Sequence, residues 1–267
     1  MAPLLAAGCC EGGTVKIAVA GGTGAVGRHV TGLVRDYGHE PVILSRSTGF
    51  DLLTGVGLPA ALEGVDGVID VVNTTAVSGT ASKKFFGTVT ETLLDAETDA
   101  GVRHHVALSI VNATTVSAGY YAGKSLQEEK VARGRVPWTL LRATQFHEFA
   151  AQTLGRGSRG ALAVVPVMRT QPVAAREVAE RLLRLVLGSA RGRVPDLAGP
   201  GEELLIDMVR EYARATRSHT RVLQIRLPGR MGSAMRGGAL LPSRTAERGT
   251  QTFREWLDTE VRARPTG

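Results

Sequence analysis

The sequence predicts an α/β protein built on a doubly wound parallel sheet, and three of its features lead to this prediction. Short apolar runs with β-branched residues alternate with helical stretches through the first half of the chain, which is the order of right-handed β–α–β crossovers. The runs read as apolar throughout, as strands covered on both faces should be. A glycine-rich turn follows the first run directly and opens the first helix.

The first half contains five predicted strands with helices between them. The strands are expected at Val15–Ala20, Pro41–Ser45, Gly67–Val72, His105–Ser109 and Trp138–Arg142. The helices are expected up to about Tyr37, around Leu58–Leu62, over residues 82–100 and from about Tyr120 to Ala132. Gly38 is the expected stop of the first helix.

From about residue 143 the alternation loosens. A Gly/Arg-rich loop is expected at Gly155–Gly160, strands at Ala161–Val167 and Val222–Leu227, and helices at Ala174–Leu187, Leu204–Arg217 and Thr250–Arg264. We therefore divide the chain into a flexible leader at 1–14, a sheet domain at 15–145 and a C-terminal lobe at 146–267 that packs over one end of the sheet.

The composition is that of a globular chain with a sizeable core. Of the 267 residues, 43% are hydrophobic and 21% are charged, which excludes a disordered or low-complexity protein. No apolar run approaches the roughly twenty residues that span a bilayer, so we expect no membrane partner. The two cysteines are the adjacent Cys9 and Cys10. Neighbours in sequence pair poorly, and a cytoplasmic protein is expected.

The net charge of +7 is unevenly distributed. Residues 1–133 carry 10 basic and 13 acidic side chains, whereas residues 134–267 carry 22 and 12. Four arginines of the second half would line one helix face if that helix continued for three turns: Arg210, Arg214, Arg217 and Arg221. Such a stripe is usually solvated, and no DNA-reading helix pair accompanies it. We expect no nucleic-acid partner.

The turn after the first strand reads Gly21-Gly-Thr-Gly-Ala-Val-Gly27. This spacing, between a strand and a helix, is typical of a Rossmann-type dinucleotide-binding domain. Gly21 permits the tight turn, Gly24 lets the backbone approach a pyrophosphate, and Gly27 permits close contact between helix and strand. Backbone N–H groups and the helix dipole then hold the phosphates. The expected cofactor contacts are Gly21, Thr23, Gly24, Ala25, Val26 and Gly27.

Ser45-Arg46-Ser47 ends the second strand, where a site that prefers NAD places Asp or Glu. A guanidinium suits the 2′-phosphate that an acid would repel, so the sequence predicts NADP(H) in preference to NAD(H). The alternative is an Arg46 that only faces solvent. Asn73 follows the third strand, and ligands of such sheets bind at the carboxyl ends of the strands. We expect Asn73 to contact the cofactor as well.

Tyr120 and Lys124 lie four residues apart and so share one face of a helix. A lysine ammonium beside a phenol lowers the phenol pKa from about 10, so that Tyr120 can pass a proton to a carbonyl oxygen. Ser109, at the end of the preceding strand, can hydrogen-bond the same oxygen, and Lys124 can also bind the nicotinamide ribose. These three are the candidate catalytic residues. The alternative is an amphipathic helix whose tyrosines pack against the neighbouring lobe.

The loop after the fifth strand should reach the nicotinamide and the substrate, because it leaves the same edge of the sheet. Its candidate substrate residues are Gln145, Phe146 and His147. We expect His147 to shape the site or to form a hydrogen bond instead of acting as an acid or base. The other histidines show no metal-ligand spacing, so no metal site is expected.

These motifs resemble those of atypical short-chain dehydrogenases/reductases of the NmrA-like, NAD(P)H-binding group. The resembling segments are residues 21–27, 120–124 and 138–147, with 236–241 and 253–257 in the tail, so that the resemblance covers roughly residues 14–260. It implies a Rossmann domain at 15–145, a substrate lobe at 146–267 and NADPH-linked reduction. The chain departs from many short-chain reductases in having no asparagine within 82–100, where they carry a further catalytic one.

Three functions are compatible with these residues. The first is an NADPH-dependent oxidoreductase that reduces a small carbonyl, enone or quinone compound, with Tyr120 and Lys124 as the proton-donor pair. The second is an NmrA-like NADP(H)-binding redox sensor without turnover; some NmrA-like proteins have lost the tyrosine, so its presence here favours an enzyme. The third is an epimerase or dehydratase, although such enzymes usually need a larger lobe. Helices 82–100 and 120–132 could also pack across a homodimer.

Overall fold

The computed structural model describes residues 13–76, 78–116, 118–159 and 161–262. The leader expected at 1–14 lies, except for its last two residues, outside this range. The strands are Lys16–Ala20 (β1), Glu40–Leu44 (β2), Gly67–Asp70 (β3), His104–Ile110 (β4), Trp138–Ala143 (β5), Ser158–Arg159 (β6), Leu162–Pro166 (β7), Arg169–Thr170 (β8), Gly192–Arg193 (β9), Leu197–Ala198 (β10), Glu203–Leu204 (β11), Arg221–Ile225 (β12) and Glu247–Arg248 (β13).

Helices connect most of these strands. They are Gly27–Asp36 (α1), Leu58–Ala61 (α2), Gly79–Asp99 (α3), Ala113–Val116 (α4), Tyr120–Arg133 (α5), Phe149–Gly157 (α6), Ala175–Val186 (α7), Leu205–Ala215 (α8), Gly229–Gly237 (α9) and Phe253–Trp256 (α10). A 3₁₀ turn covers Arg46–Thr48, and a π-helical segment, Leu257–Arg262, follows α10.

The predicted doubly wound parallel sheet is confirmed. Its strand order is β13-β10-β5-β4-β3-β1-β2, with β9 also beside β5, and every pair is parallel. Because β1 lies between β2 and β3, the winding of the sheet changes direction there. A ligand of such a sheet binds at this switch point, outside the carboxyl ends of the strands.

The two faces of the sheet are covered by different helices, and alternate residues of β1 show this. Ile17 and Val19 belong to the core shared with α1 and α7, whereas Ala18 and Ala20 belong to the core shared with α2 and α3. The prediction that the strands are apolar throughout was wrong. Buried polar side chains interrupt three of them: Asp70 in β3; His104, His105 and Ser109 in β4; and Thr139 and Arg142 in β5.

The second half of the chain builds a lobe with its own apolar core, which includes Leu154, Met168 and Trp256. The lobe contains the three-stranded sheet β12-β7-β6 and the antiparallel pair β8–β11. Later segments also return to the main sheet as β9, β10 and β13. The domain boundary at residue 145 therefore stays a prediction.

One local prediction for this half was wrong, and two predicted helices are confirmed with different bounds. The loop expected from Gly155 is the last turn of α6 followed by β6. The helix expected to reach Arg217 ends at Ala215, and Arg217 has a positive φ of 54°. Arg221 lies in β12, so the four arginines do not share one helix face. The expected final helix begins at Phe253 as α10 and continues as the π-helical segment to Arg262. The last two residues predicted for it, 263 and 264, lie outside the described range.

Over the ranges that the structure describes, no helix is both long and apolar enough to cross a membrane. Within the same ranges, no group of three or more His, Cys, Asp or Glu side chains is arranged so that it could hold a metal ion.

Candidate active site

The glycine-rich turn joins β1 to α1 through a close backbone approach. Gly21 has a φ of +80°, a conformation that favours glycine. A Cβ atom at Gly27 would lie 2.2 Å from the Gly21 carbonyl oxygen, so the first turn of α1 approaches the end of β1 only without a side chain there. Thr23 and Gly24 are exposed at the amino end of this helix. The turn thus fits the pyrophosphate of a dinucleotide, which helix N-termini bind well.

The end of β2 is shaped by hydrogen bonds among three hydroxyl side chains. Ser45 N–H donates to Thr48 Oγ1 at 3.1 Å, and the hydroxyls of Ser45 and Ser47 lie 2.9 Å apart. These bonds fix the short 3₁₀ turn and leave Arg46 exposed. The expected contact of Arg46 with a 2′-phosphate stays a prediction.

Tyr120 and Asn73 meet at the carboxyl edge of the sheet. The phenol of Tyr120 donates a hydrogen bond to Asn73 Oδ1 at 2.9 Å, and the same oxygen accepts from Thr74 N–H at 2.8 Å. Phe86 of α3 packs edge-on against the Tyr120 ring, with centroids 5.6 Å apart. Burial raises the pKa of Tyr120 above its ordinary value, so the phenol holds its proton at neutral pH.

Lys124 is buried beneath this edge. Its ammonium donates to Gln127 Oε1 at 2.9 Å, to Leu108 O at 3.0 Å and to Val72 O at 3.4 Å. Burial lowers the pKa of Lys124 to about 8, against the opposing charges of Asp70 and Glu128. The expected lowering of the Tyr120 pKa by this ammonium is wrong, because burial of the phenol dominates and raises that pKa. The lysine's three N–H groups are bonded to other acceptors.

Ser109 does not open toward a substrate in this structure. Its hydroxyl donates to Glu128 Oε1 at 2.6 Å, and Arg142 Nε donates to the same oxygen at 2.8 Å. All three side chains are buried, and Ser109 and Arg142 are direct neighbours across β4 and β5. The expectation that Ser109 orients the substrate oxygen is corrected: its hydroxyl belongs to the interface between α5 and the sheet.

Gln145 contacts Tyr121, the residue that follows the candidate catalytic tyrosine. Its amide donates to the hydroxyl of Tyr121 at 3.0 Å, while its carbonyl oxygen accepts from Thr170 Oγ1 at 2.7 Å. Phe146 forms a parallel bridge with Val173. Gln145 is buried and Phe146 is half-buried, so their contact with a substrate stays a prediction.

His147 is completely buried and is not a wall of an open cleft. Its ring packs against Phe253 and Trp256, with centroids 5.7 and 5.9 Å away, and Nε2 donates to Gln251 O at 3.1 Å. Burial lowers the pKa of His147 to about 4, so the imidazole is neutral at pH 7. The prediction of a substrate contact for His147 is therefore corrected to a place in the core of the C-terminal lobe.

Sequence reasoning missed three buried polar residues beneath the site: Asp70, Gln127 and Glu128. Two signals could have found them. Asp70 is a single carboxylate inside an otherwise apolar strand, and such a group needs partners when it is buried. Gln127 and Glu128 lie three and four residues after Lys124, on the same side of α5.

The parallel sheet, the glycine turn and the polar groups at the carboxyl edge together define a nicotinamide-dependent oxidoreductase of the short-chain dehydrogenase/reductase superfamily, to which the chain belongs. It is 30% identical over 204 residues, 69% of this chain and 68% of the other, to a reductase of Streptomyces griseus subsp. griseus, (4-alkanoyl-5-oxo-2,5-dihydrofuran-3-yl)methyl phosphate reductase. No family model matches the chain, and membership of the NmrA-like group stays a prediction.

Solved structures show the same fold. A short-chain dehydrogenase/reductase superfamily protein from Agrobacterium tumefaciens with bound NAD is 17% identical, with a TM-score of 0.64 over 92% of this chain and 96% of that one. UDP-N-acetylglucosamine 4-epimerase from Bacillus cereus is 17% identical, with a TM-score of 0.66 over 95% and 99%. At this identity the likeness concerns the fold alone.

Proposed function

We propose that the protein is an NADPH-dependent reductase of a small carbonyl, enone or quinone compound. The observation that carries the proposal is the 2.9 Å hydrogen bond between the Tyr120 phenol and Asn73 Oδ1. It places a protonated hydroxyl at the sheet edge where ligands of this fold bind. The name of the Streptomyces reductase supports a conjugated substrate, because a 5-oxo-2,5-dihydrofuran ring contains a C=C bond next to a carbonyl.

The residues of the glycine turn and of the sheet edge would hold the cofactor. The turn from Gly21 to Gly27 would bind the pyrophosphate, and the exposed Arg46 would bind the 2′-phosphate, so that NADP(H) is preferred over NAD(H). Of the three Lys124 hydrogen bonds, the one to Val72 O at 3.4 Å is the longest and therefore the weakest. This N–H of Lys124 would turn from Val72 O to a hydroxyl of the nicotinamide ribose.

When bound, the reduced nicotinamide supplies a hydride. Tyr120 Oη holds the proton that the reaction consumes, and it would donate this proton to the substrate oxygen as negative charge develops there. Asn73 Oδ1 orients the phenol until the substrate oxygen replaces it as the acceptor. With a carbonyl substrate the product is an alcohol. With an enone, hydride addition at the β-carbon and protonation of the oxygen give the enol, which then tautomerises.

A second candidate, an NADP(H)-binding redox sensor without turnover, is favoured by a different observation. The phenol pKa is raised by burial, and the groups expected to activate it, Lys124 and Ser109, are bonded to other partners. A protein that keeps the cofactor turn without an activated acid would bind the dinucleotide and report its redox state.

The experiment that separates these candidates follows NADPH oxidation by its near-ultraviolet absorbance. The panel contains enones, unsaturated lactones, quinones, ketones and aldehydes, and NADPH deuterated at C4 shows which substrate carbon receives the hydride. We expect turnover with at least one conjugated compound and deuterium at its β-carbon. Tight NADPH binding without turnover on the whole panel would favour the sensor, and no binding would refute both.

Two further expectations stay proposals. The first is a homodimer in which α3 and α5, which pack against each other in the chain, also pack across a twofold axis; its warrant is analogy with related folds. The second is a cytoplasmic location. Sedimentation with and without NADPH tests the first.

A further inference from the structure

A helix that covers a parallel sheet usually presents an apolar face to it. The side of α5 that faces the main sheet is instead polar. Lys124, Gln127 and Glu128 are all buried on it. Opposite them, the strand positions that point toward α5 carry Asp70 in β3, Ser109 in β4 and Arg142 in β5. Glu128 is accounted for by its bonds to Ser109 and Arg142. Asp70, Gln127 and Lys124 form a second group.

The amide of Gln127 links a buried carboxylate to a buried ammonium. Gln127 Nε2 donates to Asp70 Oδ2 at 2.7 Å, and Gln127 Oε1 accepts from Lys124 Nζ at 2.9 Å. Only one orientation of the amide serves both neighbours, because a carboxylate only accepts and an ammonium only donates. The other carboxylate oxygen of Asp70 accepts from Val72 N–H at 3.0 Å. The carboxylate is thereby fixed to the end of β3.

This chain of bonds ends at the site proposed above. The Lys124 ammonium also donates to Val72 O and Leu108 O, so it lies between the ends of β3 and β4. Asn73, which follows Val72 directly, accepts from Tyr120. The ammonium would lose most of its hydration here, and an opposite charge connected by an oriented amide compensates for that loss.

We propose that Asp70 and Gln127 are positioning residues for Lys124: the relay from Asp70 through Gln127 fixes the lysine ammonium at the sheet edge where the nicotinamide ribose would bind. This rests on the proposed function only for the identity of the ligand. The relay itself is a property of the cofactor-free protein.

The charged and titratable groups around the relay determine what its disruption does. Asp70 on β3 and Glu128 on α5 favour the charged form of Lys124, and burial opposes it. Tyr120 lies one turn earlier on α5. Behind Asp70 lie Glu97 of α3 and His105 of β4, hydrogen-bonded to each other at 2.8 Å. Removing the charge of Asp70 therefore leaves Lys124 with less support for its ammonium form.

The first test is an NMR titration of Lys124 in the cofactor-free protein. The chain has only five lysines, so ¹³Cε-lysine labelling gives a simple spectrum, and loss of one signal in Lys124→Met assigns it. We expect the midpoint to fall by about one pH unit or more in Asp70→Asn and in Gln127→Met. Glu129→Gln is the matched control, because Glu129 lies on the exposed side of α5 beside Arg133, and its midpoint should stay that of the wild type.

The second test measures NADP⁺ affinity against pH by calorimetry. Wild-type affinity should decrease as pH rises through about 8, where Lys124 loses its proton, and this decrease should begin at lower pH in both variants. Wild-type midpoints in folded Asp70→Asn and Gln127→Met would overturn the relay; if one variant does not fold, the other decides. Shifted midpoints with an unchanged pH dependence of NADP⁺ binding would overturn its link to the cofactor. Absence of turnover would count only against the proposed reaction.

Discussion

The phenol of Tyr120 donates its hydrogen bond to Asn73 Oδ1, 2.9 Å away, although Lys124 lies one helical turn further on. The tyrosine is thus oriented by the loop after β3 and not by the lysine of its own helix. Its proton is retained because burial raises the pKa of the phenol. In this arrangement the Tyr120 phenol is a hydrogen-bond donor oriented by an amide, and each of its contacts can be tested.

Replacing Tyr120 with Phe should remove turnover and leave cofactor binding intact. Loss of a general acid typically costs about 10²–10⁴-fold in rate, while the NADPH dissociation constant should stay within about twofold, since the ring and its contact with Phe86 remain. Stopped-flow NADPH oxidation and a binding titration measure the two quantities.

The control is Tyr121→Phe, whose lost hydroxyl is the buried partner of Gln145. This variant should lower the free energy of unfolding by about 1–3 kcal/mol and keep turnover. Equal turnover rates in Tyr120→Phe and Tyr121→Phe would refute Tyr120 as the proton donor.

Ser109→Ala should act on stability more than on rate. The Ser109 hydroxyl is bonded to Glu128 at 2.6 Å inside the protein, and its removal leaves that carboxylate to Arg142 alone. We expect a loss of about 1–2 kcal/mol in the free energy of unfolding and a less than about tenfold change in kcat. Urea unfolding and steady-state kinetics measure both. A loss of kcat as large as that of Tyr120→Phe would restore Ser109 to the catalytic group.

Arg46→Ala should weaken NADPH binding and spare NADH. Arg46 is exposed at the end of β2, and a lost charge-assisted contact with a 2′-phosphate is worth about 1.5–3 kcal/mol, or about 10–150-fold in affinity. Arg35→Ala is the matched control, because Arg35 is an exposed arginine in the last turn of α1. Titrations with both cofactors give the result. An equal loss for NADPH and NADH would show that Arg46 does not read the 2′-phosphate.

The main sheet could be predicted because its signals are local. Apolar runs, the helices between them and the glycine turn each follow from neighbouring residues, and β1 to β5 lie within a few residues of the predicted strands. The pairing of Tyr120 with Asn73 depends instead on which strands lie side by side. It joins residues 47 positions apart in the chain.

The grouping of polar side chains beneath α5 was missed for a similar reason. Asp70, Ser109 and Arg142 each look like an isolated interruption of an apolar run, and only the strand order brings them together under α5. His147 was misplaced because its loop does leave the correct edge of the sheet, but its ring is then covered by Phe253 and Trp256 from the end of the chain. A packing contact across more than a hundred residues leaves no local pattern.

The burial of neutral His147 should make the protein sensitive to acid. Its pKa is lowered to about 4 in the folded state, against about 6.5 in an unfolded chain, so the unfolded state binds more protons between these values. Stability from this group is complete above about pH 6.5 and is lost as pH falls toward 4, by on the order of 3 kcal/mol.

Urea unfolding of wild type and His147→Phe between pH 4 and pH 8 measures this contribution. The variant loses the bond to Gln251 O, which should give a constant difference in stability above about pH 7. Below about pH 6.5 the two curves of stability against pH should converge. Only the wild type has an imidazole at this position, which is neutral when buried and takes up a proton when the protein unfolds. Parallel curves over the whole range would contradict the assignment.

Two glycines of α1 provide a matched pair for the last prediction. A Cβ atom at Gly27 would meet Gly21 O at 2.2 Å and Gly22 Cα at 2.6 Å, whereas a Cβ at Gly32 would have nothing within 4 Å. The atoms opposed to Gly27 are backbone atoms of the cofactor turn, so the turn itself must move to accept an alanine. We expect Gly27→Ala to lower stability by about 1–3 kcal/mol and to weaken NADPH binding at least about tenfold.

Gly32→Ala adds the same methyl group to the same helix in open space. It should stabilise the protein by about 0.5–1 kcal/mol, because glycine within a helix costs that much relative to alanine, and should leave NADPH binding unchanged. Thermal unfolding and cofactor titration of the two variants therefore separate helix propensity from the geometry of the turn. If both variants bound NADPH like the wild type, the cofactor would not depend on the close approach of Gly27 to Gly21, and the dinucleotide site would have to lie elsewhere on the sheet.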